Sequence, residues 1–430
     1  MTLEDLTLKQ KILIGAGLVA IGLLGAYGLY YFLLKPAPKA PTLGVEPTPS
    51  VVERPSRPGL PSAQTGTPGT PITQAPGTTP ETGTGAPQAG APTLPSEIIS
   101  PIATGGLTEV TTLVQAQVTA PTLAENGKDL AYYNRDDGKF YRITPDGNAV
   151  PLADQAFKDV ESVAWAPDTS KAILEFPDGA NILYDFDTKK QATLPKHWED
   201  FAFSGTSDKI AFKSIGLDPE DRWLAVANPD GSGTVPVEPM GENGDKVTVH
   251  WSPNQSMIAT FTESRDGRRQ NLFFVGQNGE NFKLAVLEGR QFSGKWTPDG
   301  DRMLYSVYSS LSDYKPSLWI VDAAPGTSGE NREQLGLQTW ADKCTIARDN
   351  TTAYCAVPKV LPEGAGIVRE VAKDIADDFY RVDLKTGTKT FIASPAGEDI
   401  TAQNLALSQD GQNLFFTDTK TGTLKKMQLK

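Results

Sequence analysis

The segment KWTPDGDRMLY, residues 295–305, shows the unit from which most of the chain is built. Its pattern predicts a strand that ends at Trp296, a tight Pro-Asp-Gly turn, and a second strand that begins at Met303. In six further copies, a large apolar residue is followed seven positions later by the first residue of the next strand. These pairs are Leu123 and Leu130, Trp165 and Ala172, Phe203 and Ile210, Trp251 and Ile258, Ile346 and Ala353, and Leu407 and Leu414.

The copies recur at about the spacing of propeller blades, roughly 40–50 residues. Most are followed by another apolar strand and a polar turn, so each copy predicts a sheet of short strands. We therefore expect an all-β fold, a seven-bladed β-propeller over residues 101–430. A strand-like segment at 109–114 precedes the first copy, and the last copy ends one strand short. The early strand is predicted to complete the last blade and close the ring.

The N-terminal region has a different composition. Residues 12–34 carry no charge and are almost wholly apolar, and a helix of that length spans about 35 Å. They predict an uncleaved transmembrane signal anchor after a short cytoplasmic tail, residues 1–11. A cleaved signal peptide is the alternative, but Pro36 and Pro38 leave no clean cleavage site. Residues 35–100, rich in Pro, Thr and Gly, predict a disordered stalk.

Lysines flank the apolar segment on both sides, so the distribution of positive charge does not decide on which side of the membrane the propeller lies. That prediction depends on the cysteines and the stalk. Cys344 and Cys355 lie at equal distances from the turn of one hairpin and are predicted to face each other in a disulfide. Buried free thiols are the alternative. A disulfide favours an oxidising compartment, so we expect a single-pass protein of the cell membrane with a cytoplasmic N-terminus and an extracytoplasmic propeller.

The net charge of the chain limits the classes of partner that it is expected to bind. The formal net charge is −12. Acidic and basic residues balance within residues 1–100, so the whole excess belongs to the propeller. An acidic domain repels phosphate backbones and anionic lipid heads. We therefore expect no nucleic acid as a partner, and membrane contact through the N-terminal helix alone.

The Trp-Ser/Thr-Pro-Asp/Asn turns and the strands that follow them, such as 258–261, resemble the repeats of TolB-type propellers and are WD-repeat-like. Similar repeats occur in the propeller domains of prolyl-oligopeptidase-type peptidases. The resemblance covers roughly residues 110–430 and implies a fold. It implies neither family's activity, because the small α/β domain of TolB proteins and the Gly-x-Ser-x-Gly elbow of the peptidases are both missing from the sequence.

Little in the sequence points to catalysis, and we predict no catalytic residue, metal ligand or cofactor. Only two histidines are present, and one of them, His250, precedes a predicted core tryptophan, which favours a structural role. No spacing of carboxylates matches a calcium-binding loop.

Loop length gives the best indication of a binding site. In a propeller, the loops between second and third strands open on the same face as the connections between blades. They are predicted to be long in blades three to six, and blade six has an insertion at 358–378 in which Ile367, Val371 and Ile375 recur at helical spacing. The predicted binding residues are Arg222, Arg265, Arg268, Arg269, Tyr308 and Tyr314. The alternatives are neutral drift of these loops, and pairing of the arginines with Asp218, Glu220, Asp221 and Glu263.

Two functions follow. The first is a membrane-tethered extracytoplasmic propeller that acts as a binding or scaffold module for a protein or an anionic cell-wall polymer. The second is a propeller-type polysaccharide hydrolase or lyase. A cluster of carboxylates, or a carboxylate–tyrosine–arginine group, at the mouth of the central channel would favour the enzyme.

Overall fold

The computed structural model describes residues 98–430, in which the regular elements are β-strands and short 3-10 helices. The predicted tail, the predicted membrane span at 12–34 and nearly all of the predicted stalk lie outside these residues. Within 98–430, no helix is both long and apolar enough to cross a membrane.

Seven sheets form the seven predicted blades. The strands before the first blade are β1, Leu107–Thr108, and β2, Thr111–Val114. Blades one to three contain β3, Val118–Leu123; β4, Leu130–Asn134; β5, Lys139–Ile143; β6, Ala149–Pro151; β7, Ser162–Trp165; β8, Lys171–Glu175; β9, Asn181–Asp185; β10, Lys190–Leu194; β11, Trp198–Phe203; β12, Ile210–Ile215; β13, Arg222–Ala227; and β14, Val235–Pro239.

Blades four and five contain β15, Val247–Val249; β16, Ala259–Ser264; β17, Gln270–Val275; β18, Ala285–Leu287; β19, Arg290–Trp296; β20, Arg302–Tyr308; β21, Pro316–Asp322; and β22, Glu333–Gln334. Blades six and seven contain β23, Cys344–Ile346; β24, Thr352–Pro358; β25, Asp377–Asp383; β26, Lys389–Pro395; β27, Ala402–Leu407; β28, Asn413–Asp418; and β29, Leu424–Gln428. The 3-10 helices are Pro219–Asp221, Gly241–Lys246, Ser310–Ser312, Ala341–Lys343 and Arg369–Ala372.

The repeat that predicts the fold is the first hairpin of each blade. In six of the seven copies, the two residues seven positions apart are direct partners in the sheet, as Trp296 and Met303 are. In blade four, β15 ends at Val249, before the tryptophan. The turn chemistry explains the constant spacing. In blade five, the Asp299 carboxylate accepts hydrogen bonds from the Thr297 hydroxyl at 2.6 Å and the Asp301 backbone N–H at 3.1 Å, while Gly300 adopts a φ of +76°.

Ring closure by the early strand is confirmed. Strand β2 pairs antiparallel with β29 as the outermost strand of blade seven. The structure also shows a contact that was not predicted from the sequence. Strand β1 pairs in parallel with β26 as a fifth strand of blade six. Before β1, the backbone N–H of Ala103 donates to the Gln428 carbonyl of blade seven at 2.9 Å. The segment before the first blade therefore joins blades six and seven.

The predicted disulfide is confirmed. Cys344 and Cys355 are direct partners across the first hairpin of blade six, with Cα atoms 4.1 Å apart, and they form a buried disulfide. The closed loop is short, so the chain-entropy estimate gives a contribution of about 2–3 kcal/mol to the free energy of unfolding.

Candidate functional site

The propeller has two faces. We call the face with the loops between second and third strands the loop face, and the opposite face, with the hairpin turns, the turn face. The second-to-third-strand loops are residues 135–138, 176–180, 216–221, 265–269, 309–315, 359–376 and 419–423. The loop of blade four is no longer than those of blades two and seven, because β16 extends to Ser264 and β17 begins at Gln270. The predicted long-loop sector is therefore concentrated in blades five and six.

The loop of blade six, residues 359–376, is here called the blade-six insert. Its spacing of apolar residues predicts a helical segment, and the structure has a single 3-10 helix, Arg369–Ala372. The insert has a small core of its own in which Leu361, Ala365 and Ala372 pack with Trp340, and Ile375 packs against them. Its two ends meet where the Lys359 N–H donates to the Ala376 carbonyl at 2.9 Å. A closed loop with its own core is held in one shape.

Contacts on both sides hold the insert against the ring. Towards blade five, the Gly364 N–H donates to the Asp313 carbonyl at 3.0 Å and the Gly366 N–H donates to the Tyr314 carbonyl at 2.7 Å. Position 366 requires glycine, because a Cβ there would come within 2.5 Å of the Tyr308 Cβ atom.

The other side of the insert is fixed by Arg369. Its guanidinium lies 2.7 Å from the Asp342 carboxylate and 4.8 Å from the centre of the Trp340 ring. An ion pair and a cation–π contact on one guanidinium restrict its orientation more than either contact would alone. The insert therefore adds a fixed surface to the loop face.

Five large apolar side chains of the insert and of the adjoining blade-five loop are exposed to solvent, among charged neighbours such as Glu370 and Lys373. The exposed fractions are 85% for Leu311, 39% for Tyr314, 49% for Ile367, 52% for Val368 and 51% for Val371. We call these five residues the apolar ridge. Large apolar side chains exposed together on a rigid loop are uncommon on a monomeric surface and mark sites of protein contact.

Two of the predicted arginines are engaged within their own region. Arg222 lies 3.2 Å from Glu242 and also donates to the Gly216 carbonyl. Arg269 lies 2.7 Å from Asp266, and the Arg268 N–H together with the Arg269 guanidinium lowers the pKa of Asp266 to about 2. The alternative that the arginines pair with nearby acidic residues therefore holds for Arg222 and Arg269. Their partners are Glu242 and Asp266, which are not among the four acidic residues predicted.

Arg265 and Arg268 keep their charges available. Over residues 98–430, neither forms an ion pair, and the only side-chain contact is a long one of 3.4 Å from Arg265 to the Asn271 amide oxygen. A chain of contacts joins their loop to the ridge. Arg290 donates to the Asp266 carbonyl, and it pairs across the sheet with Tyr308. The Tyr308 ring lies 6.3 Å from that of Tyr314. The binding role of Arg265 and Arg268 stays a prediction.

A buried ion pair, which was not predicted from the sequence, lies beneath the insert. The Lys343 ammonium lies 2.7 Å from the Asp377 carboxylate, and both side chains are almost completely buried. The same carboxylate accepts the Ala402 backbone N–H of blade seven at 2.7 Å. Burial lowers the pKa of Lys343 and raises the pKa of Asp377, because charged forms are costly away from water. The pair ties the end of the insert to two blades.

The central channel contains a cavity of about 580 Å³, lined by the first strands of blades one, five, six and seven. Asp342 is the one carboxylate among its lining residues, and it is paired with Arg369. A groove of about 540 Å³ adjoins this cavity between blades six and seven, and it contains the residue types that would favour an enzyme: Asp349, Asp383, Asp410, Tyr354 and Arg381. In the part of the chain that the structure describes, no three His, Cys, Asp or Glu side chains are grouped to hold a metal ion.

The comparisons with known proteins support the fold. No family model matches the chain, and a comparison with curated proteins found no match. Among solved structures, an oligogalacturonate lyase in complex with manganese is similar with a TM-score of 0.54 and 14% identity, over 76% of this chain and 95% of that one. The oligogalacturonate lyase of Vibrio parahaemolyticus has a TM-score of 0.51 and 14% identity, over 74% and 93%.

A third similar structure is the Cps50 (Swd1) β-propeller domain of Myceliophteria thermophila. Its TM-score is 0.50 and its identity 11%, over 75% of this chain and all of that one. These proteins differ in function and share little sequence with the chain, so the similarity supports a propeller fold and nothing narrower.

Proposed function

We propose that this protein is a membrane-tethered, extracytoplasmic propeller that binds another protein through its loop face. The observation that carries the proposal is the apolar ridge, which is formed by the blade-six insert and the adjoining loop of blade five. Protein interfaces form around apolar and aromatic anchors held in place before binding, because ordering a loop on binding costs free energy. The insert already has its own core and its contacts with blade five.

A protein fits this surface better than a charged polymer does. The ridge offers five apolar or aromatic side chains, which a polymer of charged sugars or phosphates would leave exposed to water. The free charges of Arg265 and Arg268 lie at the end of the contact chain that begins at the ridge, and arginine binds carboxylates in bidentate geometry. The partner should therefore have an apolar centre with acidic residues at one side.

The tether and its orientation are part of the same proposal. The apolar segment 12–34 has the length of a membrane span, and the buried disulfide of blade six favours an oxidising compartment.

Protease added to intact cells should release a fragment close in mass to residues 98–430, because the predicted stalk is the exposed site of cleavage. An antibody to the propeller would detect the fragment. Protection of the propeller until the membrane is broken would show the opposite orientation.

Charges placed on the ridge test the binding surface. Val368→Asp combined with Val371→Asp should weaken binding at least tenfold, because two contacts worth about 1 kcal/mol or more each are replaced by desolvated carboxylates. The measurement is chemical crosslinking of the full chain in its own membrane, followed by quantitative mass spectrometry of the protein partners.

The matched control is Val150→Asp. Val150 is a similarly exposed valine on the outer strand of blade one, away from the insert. It should leave the crosslinked partners unchanged. Equal recovery of all partners from the ridge variant would rule out the loop face of blade six, and recovery of a wall polymer in place of a protein would favour the polymer as the partner.

A further inference from the structure

A groove lies between blades three and four, beside the outer strand β14 and the third strand β17. Its volume is about 310 Å³, at the lower end of the range for ligand sites. Apolar side chains form most of its lining, with Met240 next to blade three and Phe261, Phe273 and Val275 on blade four. We call it the blade three–four groove.

The floor of this groove is built on a pair of phenylalanines. Phe261 and Phe273 are direct partners in the sheet, and their ring centres lie 5.6 Å apart. Phe261 packs against the core between blades three and four, so Phe273 leaves the sheet on the same face. Among residues 98–430, Phe273 is half-buried and belongs to neither of the cores that flank blade four. Its ring is therefore available to a ligand.

A glutamate stands on each side of the floor. Glu238 pairs directly with Leu224, whose side chain is buried in the same core, so both side chains leave blade three towards the groove. On blade four, a Cβ at Gly276 would collide with the Glu280 carboxylate, which therefore lies over the end of β17. Asn278 holds it there, because its backbone N–H and its side-chain amide donate to the two carboxylate oxygens at 2.8 and 2.9 Å.

Both carboxylates keep their charges available. Within the described residues, neither Glu238 nor Glu280 forms an ion pair, and the lining of the groove contains no lysine, arginine or histidine. One ammonium reaches the rim, since Lys246 donates to the amide oxygen of the lining residue Asn243 at 2.9 Å. Two unpaired carboxylates against one ammonium leave a negative excess beside an apolar floor.

This combination selects an occupant that is both basic and apolar. The carboxylates would repel an acidic peptide, an anionic lipid or a nucleic acid. A neutral apolar molecule would cover the floor but leave both carboxylates without a partner. A peptide with a lysine or arginine beside a large apolar residue would satisfy both. Extended residues lie about 3.3 Å apart, so long basic side chains next to the apolar one reach the walls.

We propose that the blade three–four groove binds an extended basic segment of a partner protein. A large apolar side chain of the segment packs against the phenylalanine pair, and a lysine or arginine beside it pairs with Glu238 or Glu280. This surface is separate from the apolar ridge and selects the opposite charge, because the ridge is linked to unpaired arginines. The inference does not depend on the function proposed for the loop face.

Three seven-residue peptides test the proposal, by calorimetry with the full chain in detergent. The first has a central phenylalanine between three lysines on each side. The second has alanine in place of the phenylalanine, and the third has glutamates in place of the lysines. The first should bind at least about tenfold more tightly than either of the others, because it alone supplies both the apolar side chain and the positive charges.

Matched variants locate the site. Glu238→Gln with Glu280→Gln should weaken binding of the first peptide at least about tenfold, because the amides keep the shape of the side chains and remove their charge. The control is Glu109→Gln with Glu125→Gln. It removes the same charge from two exposed glutamates that belong to neither blade three nor blade four, and it should leave the affinity unchanged.

Reversal of the charges provides a test by gain of binding. Glu238→Lys with Glu280→Lys should bind the glutamate peptide more tightly than the lysine peptide, the opposite of the unmodified chain. The melting temperature of each variant shows whether the fold is kept. Little change is expected, because both glutamates are exposed.

Four results would overturn the proposal. Equal affinity for the alanine peptide would show that the apolar floor is not used, and equal affinity for the glutamate peptide would show that charge is not recognised. An equal loss of binding in the control variant would show attraction to the acidic chain as a whole. Absence of binding by all three peptides would show that the groove is not a site for basic segments. The loop-face proposal is tested separately, by the variants of the ridge.

Discussion

Removal of residues 98–114 is expected to have the largest effect on stability of any change considered for this protein. A chain that begins at residue 115 lacks β1 and β2, which leaves blade seven with three strands and β29 with an open edge. The lost contacts include the buried Ala103 and the half-buried Leu113, Val114 and Val110, together with the ladder to β29. At about 0.5–1.5 kcal/mol for each hydrogen bond and about 1–2 kcal/mol for each apolar side chain, the free energy of unfolding should fall by about 5 kcal/mol or more.

Chains that begin at residues 98, 109 and 115 separate the two strands. The chain from 109 keeps β2 and loses the parallel contact of β1 with β26, so it should be less stable than the chain from 98 by a smaller amount. The chain from 115 should melt well below both and should aggregate, because an unpaired edge recruits other chains. Thermal unfolding by circular dichroism and size-exclusion chromatography measure both effects. Equal melting temperatures for the chains from 98 and 115 would show that the early strands contribute little to the ring.

The blades could be predicted because their information is local. A large apolar residue, a turn with its own hydrogen bonds, and a second strand seven positions later lie within one short segment, as in residues 296–303. The Thr297 hydroxyl contacts both Asp299 and the Arg302 carbonyl within that turn, so the shape of the turn can be predicted from the segment itself. The disulfide was predictable for the same reason, since the symmetry of one hairpin places Cys344 opposite Cys355.

The features that the sequence did not predict are set by distant contacts. Strand β1 has only two residues, and it is a strand only because β26 lies beside it. In blade four, the polar residues Glu263 and Ser264 suggest a loop, but they are the exposed end of a strand, and polarity alone does not distinguish the two.

The insert shows the same limit. Ile367, Val371 and Ile375 have helical spacing, yet only Ile375 packs inward, because glycines 364 and 366 hold the backbone against blade five instead. The exposure of the other two therefore became visible only in the structure. The lining of the channel cavity was equally hidden, because Lys295, Asp342 and Arg348 belong to different elements that the ring brings together.

The second large effect is expected at the buried pair of Lys343 and Asp377. Lys343→Met leaves the Asp377 carboxylate buried with the Ala402 N–H as its remaining partner, and removal of one member of a buried pair typically costs 3–5 kcal/mol. We expect a loss of about that size in the free energy of unfolding at pH 7, measured by chemical denaturation. The matched control is Glu330→Ala, which breaks an exposed pair with Lys283 of similar length, 2.8 Å, and should cost less than about 1 kcal/mol.

The pH dependence of that loss distinguishes an unpaired charge from a simple packing defect. Burial already raises the pKa of Asp377, and without Lys343 the pKa should rise further. A carboxyl whose pKa is higher in the folded state than in the unfolded state takes up a proton on folding, so the folded state is favoured at low pH and loses that advantage as pH rises. The gap in stability between the unmodified protein and Lys343→Met should therefore be widest at neutral pH and narrow as the pH falls towards about 4, the ordinary pKa of an aspartate.

A gap that stays constant from pH 7 to pH 4 would mean that the methionine disturbs packing and that the lost charge contributes nothing. In that case, Asp377→Asn added to Lys343→Met should fail to restore stability. If the charge is the cause, the added asparagine keeps an acceptor for the Ala402 N–H, removes the buried negative charge, and recovers much of the loss at neutral pH.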